Sequence, residues 1–122
     1  MYLKFRNTAK FCLDNLVGFN ADDLVTPQEM LPLDKWAVTR LNSLIAKSSA
    51  AYDEYEFHVV SHMINDFCVV ELSSFYFDII KDRLYCDGAD SLSRRSAQTA
   101  LWMILDAMTR MFARTSVDSA DR

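Results

Sequence analysis

Four cationic side chains gather where two predicted helices meet, and they are the residues of this sequence best suited to bind a ligand. Lys81 and Arg83 close one apolar helical run, and Arg94 and Arg95 fall in the first turn of the next. Cations complement the helix dipole at a carboxyl end, whereas in a first turn the dipole disfavours them by roughly a few tenths of a kcal/mol. Arg94 and Arg95 therefore need a further partner.

Two kinds of partner fit these arginines. An outside anion is one, since the planar guanidinium fork suits phosphate groups and base edges. Pairing with Asp82, Asp87 and Asp90, in the segment between the two runs, is the other. Spacing alone favours neither, so both explanations stay open at this point.

The two histidines lie four residues apart, at the spacing of zinc ligands on one helix face. Val59 follows His58, however, so the general base of a His-Glu-x-x-His enzyme is missing. Glu54 and Glu56 stand at the wrong offsets for a di-iron bundle. We interpret His58 and His62 as half-exposed helix residues, and a metal-dependent bundle enzyme is the weaker rival hypothesis.

Residues 73–77 combine two serines with three aromatic rings in the middle of the longest apolar run. Ser73 and Ser74 lack a nucleophile elbow and an activating base, and helix serines commonly bond back to a carbonyl. Consecutive residues point in all directions around a helix, so at least two of Phe75, Tyr76 and Phe77 are expected in the core. The sequence predicts no catalytic residue here.

Size and charge narrow the class of protein. A chain of 122 residues forms one domain by the usual prior, and a net charge of -4 argues against indiscriminate coating of nucleic acid. The odd, widely spaced Cys12, Cys68 and Cys86 suggest neither a disulfide framework nor a zinc knuckle. No run approaches the ~20 apolar residues that span a bilayer. We expect a soluble, cytoplasmic chain without membrane or DNA partners.

Long runs free of glycine and proline favour helices over strands, and these runs predict the helices that position the cations. We predict an all-α, up-and-down bundle of about four long helices, at residues 3–17, 32–54, 56–85 and 91–113. The third helix allows a break near Glu56 or a kink near Ser73 and Ser74. A short helical turn is expected at Thr26–Glu29, and Asp90 or Ser91 caps the last helix. Residues 114–122 form a frayed tail beyond the 1–113 bundle.

Several segments carry a family resemblance. The run Phe5 to Phe11, FRNTAKF, followed by Asn15, Leu16 and Gly18, resembles the opening of the carboxyl-terminal helical domain of class I aminoacyl-tRNA synthetases. LDKWA at 33–37, YEFH at 55–58, SFYFDIIKDRLY at 74–85 and RRSAQT at 94–99 are similar to the isoleucyl-tRNA synthetases in particular. The resemblance covers residues 2–113. The equivalent domain of a valyl or leucyl synthetase is the alternative within this class.

The resemblance implies a bundle that grips the anticodon stem and loop of isoleucine tRNA, with the remaining synthetase domains as its other partner. The residues that it places at the anticodon are Lys81, Asp82, Arg83, Arg94 and Arg95. Trp36 is a candidate for stacking on a base, with packing against the first helix as the safer assignment. Arg6 and Asn7 are expected to brace the bundle against a neighbouring domain or the tRNA stem.

The chain also departs from the resembled enzymes. It lacks the His-Ile-Gly-His and Lys-Met-Ser-Lys-Ser signatures, so we expect no amino-acid activation and no cofactor, with ATP, magnesium and zinc belonging to the parent enzyme. After Ala113 the sequence leaves the family pattern, which suggests a fragment with an altered end. The rival from another class is a protein-interaction bundle whose basic corner meets an acidic partner.

Overall fold

The computed structural model describes residues 2–86, 88 and 91–120, and side chains within 4–20, 22–86, 88 and 91–114. Its helices are α1 (Tyr2–Asp14), α2 (Pro32–Asp53), α3 (Phe57–Asp66), α4 (Phe77–Cys86) and α5 (Leu92–Ala120). A π-helical segment, Phe67–Tyr76, joins α3 to α4, and one 3-10 turn spans Ala21–Asp23. The described residues contain no strand, which confirms the predicted all-α class.

Residues 57–86 form one continuous rod, the central helix, so the described residues form four long helices, as predicted. Contacts between the helices give their directions. Asp34, near the start of α2, pairs with Arg83 near the end of the central helix, and Arg40, further along α2, pairs with the earlier Glu71. These two helices therefore run antiparallel. The aromatic pair Phe5 and Phe112 and the hydrogen bond from Gln98 to the Asn15 carbonyl make α1 and α5 antiparallel as well. The bundle is therefore up-and-down.

A single core runs along the axis of this bundle. Its fully buried side chains come from every long helix, because each presents an apolar stripe at helical spacing. They include Cys12, Leu41, Val60, Ile64, Leu72, Ile80, Leu101 and Ile104. Ring stacking supplements this core where α1 packs on the central helix: the centroids of Phe11 and Phe77 lie 4.1 Å apart, with planes inclined by 13°.

The π-helical segment lies where the sequence allowed a kink. The Ser74 hydroxyl donates a 2.8 Å hydrogen bond to the Val69 carbonyl five residues earlier, which is the π-helical spacing. Tyr76 and Phe77 are both buried, as predicted for two members of that aromatic run. Phe75 is 44% exposed, because the widened turn directs it away from the core.

The end of α1 differs from the sequence prediction. α1 ends at Asp14, three residues early, where the Asn15 side chain donates a 2.8 Å hydrogen bond to the Phe11 carbonyl and occupies an acceptor of the last turn. Gly18 follows with φ +79°, a conformation that favours glycine. Between α2 and α3 the chain turns at Tyr55, whose φ is +60°.

α5 continues to Ala120, past the predicted end of the bundle at Ala113, and the predicted fraying of residues 114–122 stays a prediction. One reason for the longer helix is visible at the first residue beyond the predicted end. The Arg114 guanidinium lies 3.8 Å from the centroid of the Tyr52 ring, a cation–π contact that extends packing past the apolar period. Asp121 and Arg122, at the end of the predicted tail, lie outside the described residues.

The connection between α1 and α2 is tied to α5. The Thr26 hydroxyl donates to the Glu29 carboxylate at 2.9 Å, and the Glu29 amide donates to the Thr26 carbonyl, forming the short turn expected here. The Val25 amide donates to the Thr99 hydroxyl at 3.0 Å. This connection therefore lies against the first half of α5, next to the cationic corner.

Candidate functional site

The cationic corner forms where α4 ends and α5 begins, as the sequence predicts. The Arg83 guanidinium donates through Nη1 to the Ser93 carbonyl at 3.2 Å, and the Arg94 guanidinium donates through Nη1 to the Leu84 carbonyl at 2.6 Å. Each arginine thus reaches across to a carbonyl of the other helix. These reciprocal bonds fix the angle of the corner, and the Arg94 bond satisfies an acceptor in the last turn of α4.

Asp34, at the start of α2, is the anionic centre of this corner. It is fully buried, and Arg83 donates through Nη1 to its Oδ2 at 2.8 Å. The Ser96 hydroxyl donates to the same oxygen at 2.5 Å, and the Tyr76 hydroxyl donates to Oδ1 at 2.6 Å. Burial and then the nearby Asp34 charge raise the pKa of Tyr76, which therefore remains a donor. We call Asp34, Tyr76, Arg83 and Ser96 the Asp34 hub.

Arg95 turns towards the α1–α2 connection instead. Its Nη1 lies 3.3 Å from the Asp23 carboxylate and donates to the Gln98 side-chain oxygen at 3.3 Å. The guanidinium carbon also lies 5.9 Å from the centroid of the Phe19 ring. Arg95 therefore holds the connection against α5.

The three arginines thus have partners inside the protein. Among the described residues these partners include Asp34, Asp23 and backbone carbonyls. Asp82 is exposed, while Asp87 and Asp90 lie outside the described residues. The prediction that the arginines contact tRNA stays a prediction, since structural roles already account for much of their hydrogen bonding.

Lys81 faces solvent beside this corner. Its ammonium lies 2.8 Å from the Asp78 carboxylate, and its side chain is 49% exposed. The hydrogen bond from Lys81 to Asp78 and the charge of that carboxylate raise the pKa of Lys81, so it stays cationic. Lys81 is the exposed cation among the residues predicted at the corner.

A shallow notch of about 280 Å³ opens between α1 and α4 next to Lys81. We call it the α1–α4 notch; it is lined by Asn7, Phe11, Ser73, Phe77, Asp78 and Lys81. The structure thereby brings together Asn7 and Lys81, to which the sequence analysis gave separate roles. The notch combines stacked rings with an amide, a hydroxyl, a carboxylate and an ammonium group.

The remaining predicted site residues lie elsewhere. Arg6 is exposed on another side of α1, beside Ala9 and Lys10. Trp36 packs edge-on against Phe75 of the central helix, with ring centroids 5.1 Å apart. Neither residue lines the α1–α4 notch.

The alternative chemistry has no geometric counterpart in the described part of the chain. His58 and His62 are exposed on α3, and no three or more His, Cys, Asp or Glu side chains within the described residues are placed to hold a metal ion. None of the helices, over the same residues, has the length and apolar character needed to cross a membrane.

The fold and the polar corner correspond to a known class of helical domain. A family model described as the anticodon-binding domain of tRNA ligases matches residues 34–113, and the chain belongs to this family. The matched residues run from within α2 to within α5 and include the whole Asp34 hub.

Several relatives of this chain are isoleucine–tRNA ligases. The chain is 50% identical over 113 residues to the isoleucine–tRNA ligase of Syntrophotalea carbinolica, and 53% identical over 111 residues to that of Moorella thermoacetica. Against the isoleucine–tRNA ligase of Aeromonas hydrophila it is 50% identical over 121 residues. These alignments cover 90–98% of this chain and 12–13% of the relatives, so the chain is homologous to one segment of each.

Proposed function

We propose that this chain binds the anticodon stem-loop of a tRNA, specifically isoleucine tRNA, as part of an isoleucine–tRNA ligase. Its family and the names of its relatives support this proposal. In such an enzyme, binding energy from a remote part of the substrate helps to position the reacting end. Activation of the amino acid, with its ATP, magnesium and zinc, belongs to other segments under this proposal.

The observation that carries the proposal is the composition of the α1–α4 notch beside the cationic corner. RNA loops are recognised through unstacked bases, which stack on aromatic rings and form hydrogen bonds along their edges. Phe11 supplies a partly exposed ring, backed by the buried Phe77, and Asn7 supplies both an amide donor and a carbonyl acceptor. Lys81 is placed to approach a neighbouring phosphate.

The acidic residues around Lys81 favour base recognition over general attraction to the RNA backbone. Asp78 lines the notch, and the exposed Asp82 lies one residue beyond Lys81 on α4. Carboxylates repel phosphates but accept hydrogen bonds from exocyclic amino groups of bases. Together with the net charge of -4, this predicts few phosphate contacts and a shallow salt dependence.

Binding of purified isoleucine tRNA across a salt series, with an unrelated tRNA in parallel, tests the proposal. We expect tighter retention of isoleucine tRNA and a slope of log K against log salt of about -1 to -3. Equal retention of both tRNAs at low salt would remove the claim of specificity. Retention of neither would remove the claim of binding.

A matched pair of lysine variants tests the location of the site. Lys81 and Lys10 are both exposed, and each forms an ion pair with an aspartate on its own helix. Lys81→Gln should weaken binding about tenfold, whereas Lys10→Gln should change it by less than about twofold. Lys81 suits this test better than Arg94 or Arg95, because replacing either arginine also removes contacts that hold the bundle together.

An apolar groove is the observation that favours the alternative function, a helical bundle that binds another protein. It has a volume of about 690 Å³ and lies between the α1–α2 connection, α2 and α5. Met30, Val38, Trp102 and Met103 are among its lining residues. Trp102→Ala should leave tRNA binding unchanged if tRNA contacts the α1–α4 notch, and a tenfold loss of tRNA binding would place the RNA on the wrong face.

A further inference from the structure

Arg83 forms its hydrogen bonds to other described residues through one nitrogen atom of its guanidinium group. Its Nη1 donates to Asp34 Oδ2 at 2.8 Å and to the Ser93 carbonyl at 3.2 Å. Arg83 reaches both of these described residues through Nη1 alone, and its side chain is 19% exposed. Its Nε and Nη2 atoms form the edge of the guanidinium that binds two acceptors side by side.

Asp34 holds this side chain with little freedom to move. The carboxylate has no exposed surface and accepts hydrogen bonds from Tyr76, Arg83 and Ser96, which lie on three different helical segments. Ser96 in turn accepts a 2.9 Å bond from the Leu31 amide, immediately before α2. An arginine oriented in this way has already lost the rotamer freedom that binding would otherwise cost.

We infer that Asp34 is a positioning residue for RNA recognition, which directs the Nε and Nη2 edge of Arg83 towards a pair of acceptor atoms in the bound RNA. This inference rests on the proposed function. A guanine edge and a phosphate group both offer such acceptor pairs, and a bidentate contact depends on direction more than on charge. Arg83 thereby has two roles, one inside the bundle and one at its surface.

The sign of one substitution separates positioning from simple electrostatics. Asp34→Asn removes a negative charge, so attraction to RNA should increase if charge alone matters. If Asp34 positions Arg83, the same substitution should weaken RNA binding, because the neutral side-chain amide of asparagine would hold the Arg83 guanidinium less firmly than the carboxylate does. We expect about a tenfold loss of affinity for the anticodon stem-loop RNA of isoleucine tRNA.

Two further variants complete the test. Arg83→Lys keeps the charge but removes the planar fork, so it should lose about as much affinity as Asp34→Asn. In an Arg83→Lys background, adding Asp34→Asn should cause no further loss beyond about twofold. Ile64→Ala, in the core of α3, serves as a destabilised control with intact Arg83 and should retain wild-type affinity.

All affinities are measured on the full chain by titration of the stem-loop RNA, corrected for the folded fraction from circular dichroism at the same temperature. Equal or tighter binding by Asp34→Asn would overturn the inference, as would an equal loss in Ile64→Ala. If Asp34→Asn does not fold, Arg83→Lys decides, and wild-type affinity in that variant would overturn it. Absence of binding by the unaltered chain overturns the proposed function itself, a result distinct from these.

Discussion

Arg83 and Asp34 form an ion pair in which the carboxylate is fully buried and the guanidinium reaches the surface. Taking charges out of water offsets most of the attraction within such a pair, so its net contribution to stability is small. Removing one partner is costly, because the other is left buried and uncompensated. The pair therefore defines the geometry of the corner more than it stabilises the fold.

The first residue-scale prediction concerns this pair. Breaking a buried pair costs about 3–5 kcal/mol, and we expect about 2–3 kcal/mol for Arg83→Met because Asp34 keeps two hydroxyl donors. Lys10→Met, which breaks the exposed pair with Asp14, should cost less than about 1 kcal/mol. Urea unfolding of the two variants provides the comparison, and equal losses would contradict it.

The buried thiols make stability sensitive to alkaline pH. Burial, followed by the neighbouring Cys68, raises the pKa of Cys12 above its usual 9.0, and burial also raises the pKa of Cys68. Above pH 9 the unfolded chain loses these protons while the folded chain keeps them. This stabilisation is fully present below pH 9 and declines as pH rises, by up to about 1.4 kcal/mol per pH unit for Cys12.

Cys12→Ala should therefore flatten the decline of unfolding free energy above pH 9. The exposed Cys86 provides the matched control, since Cys86→Ala should leave the slope unchanged. Urea unfolding at a series of pH values measures both slopes. An unaltered slope in Cys12→Ala would mean that the buried thiol does not cause the decline.

At the scale of the elements, the π-helical segment decides which side chains the central helix buries. Leu72 and Tyr76 enter the core, while Val70 and Phe75 face outward. Tyr76 also reaches Asp34 from this segment, so the widened turns join the middle of the helix to the corner. π-Helical turns are rare and commonly occur at functional sites, which is consistent with this connection.

Two substitutions in this segment test its register. Leu72→Ala removes a fully buried side chain and should cost about 3 kcal/mol, whereas Val70→Ala, at an exposed position, should cost less than about 0.5 kcal/mol. Chemical denaturation measures both. A reversed order would mean that the segment turns the opposite face towards the core.

The number and order of the helices could be predicted, because the stripes of α2 and α5 are long and uninterrupted. Helix ends were less predictable, since they depend on contacts made at a distance along the sequence. Arg114 packs on Tyr52, and this contact lies in the part of α5 that follows the last apolar repeat. For the π-helical segment the sequence indicated only a kink near Ser73 and Ser74. Apolar residues occur on every face of this part of the helix, so their spacing did not reveal the change of helix type.

At the scale of the whole molecule, the position of the cationic corner was predictable from the sequence. The residues that pair with its arginines were not. The stripe Ala37, Leu41 and Leu44 extends back by three residues to Asp34, and this position on the buried face is the sequence signal of a buried carboxylate. The pairing of Arg95 with Asp23 joins segments remote in sequence, so local spacing could not reveal it. Contact between Asn7 and the surroundings of Lys81 likewise required the packing of α1 on α4.

An acidic molecule that binds RNA must do so at a restricted surface. The exposed lysines and arginines of the described helices are scattered, and several lie within 4 Å of a carboxylate on their own or a neighbouring helix. Such pairs reduce the long-range field that would otherwise attract any polyanion. Under the proposed function, recognition therefore depends on the shape and hydrogen bonding of the α1–α4 notch and on Arg83.

Backbone-cleavage footprinting of isoleucine tRNA, with and without this chain at half-saturating concentration, tests the central claim most directly. The account predicts protection confined to the anticodon stem and loop, and a loss of that protection in Lys81→Gln. Protection centred on the acceptor stem, or an unchanged footprint with Lys81→Gln, would contradict it.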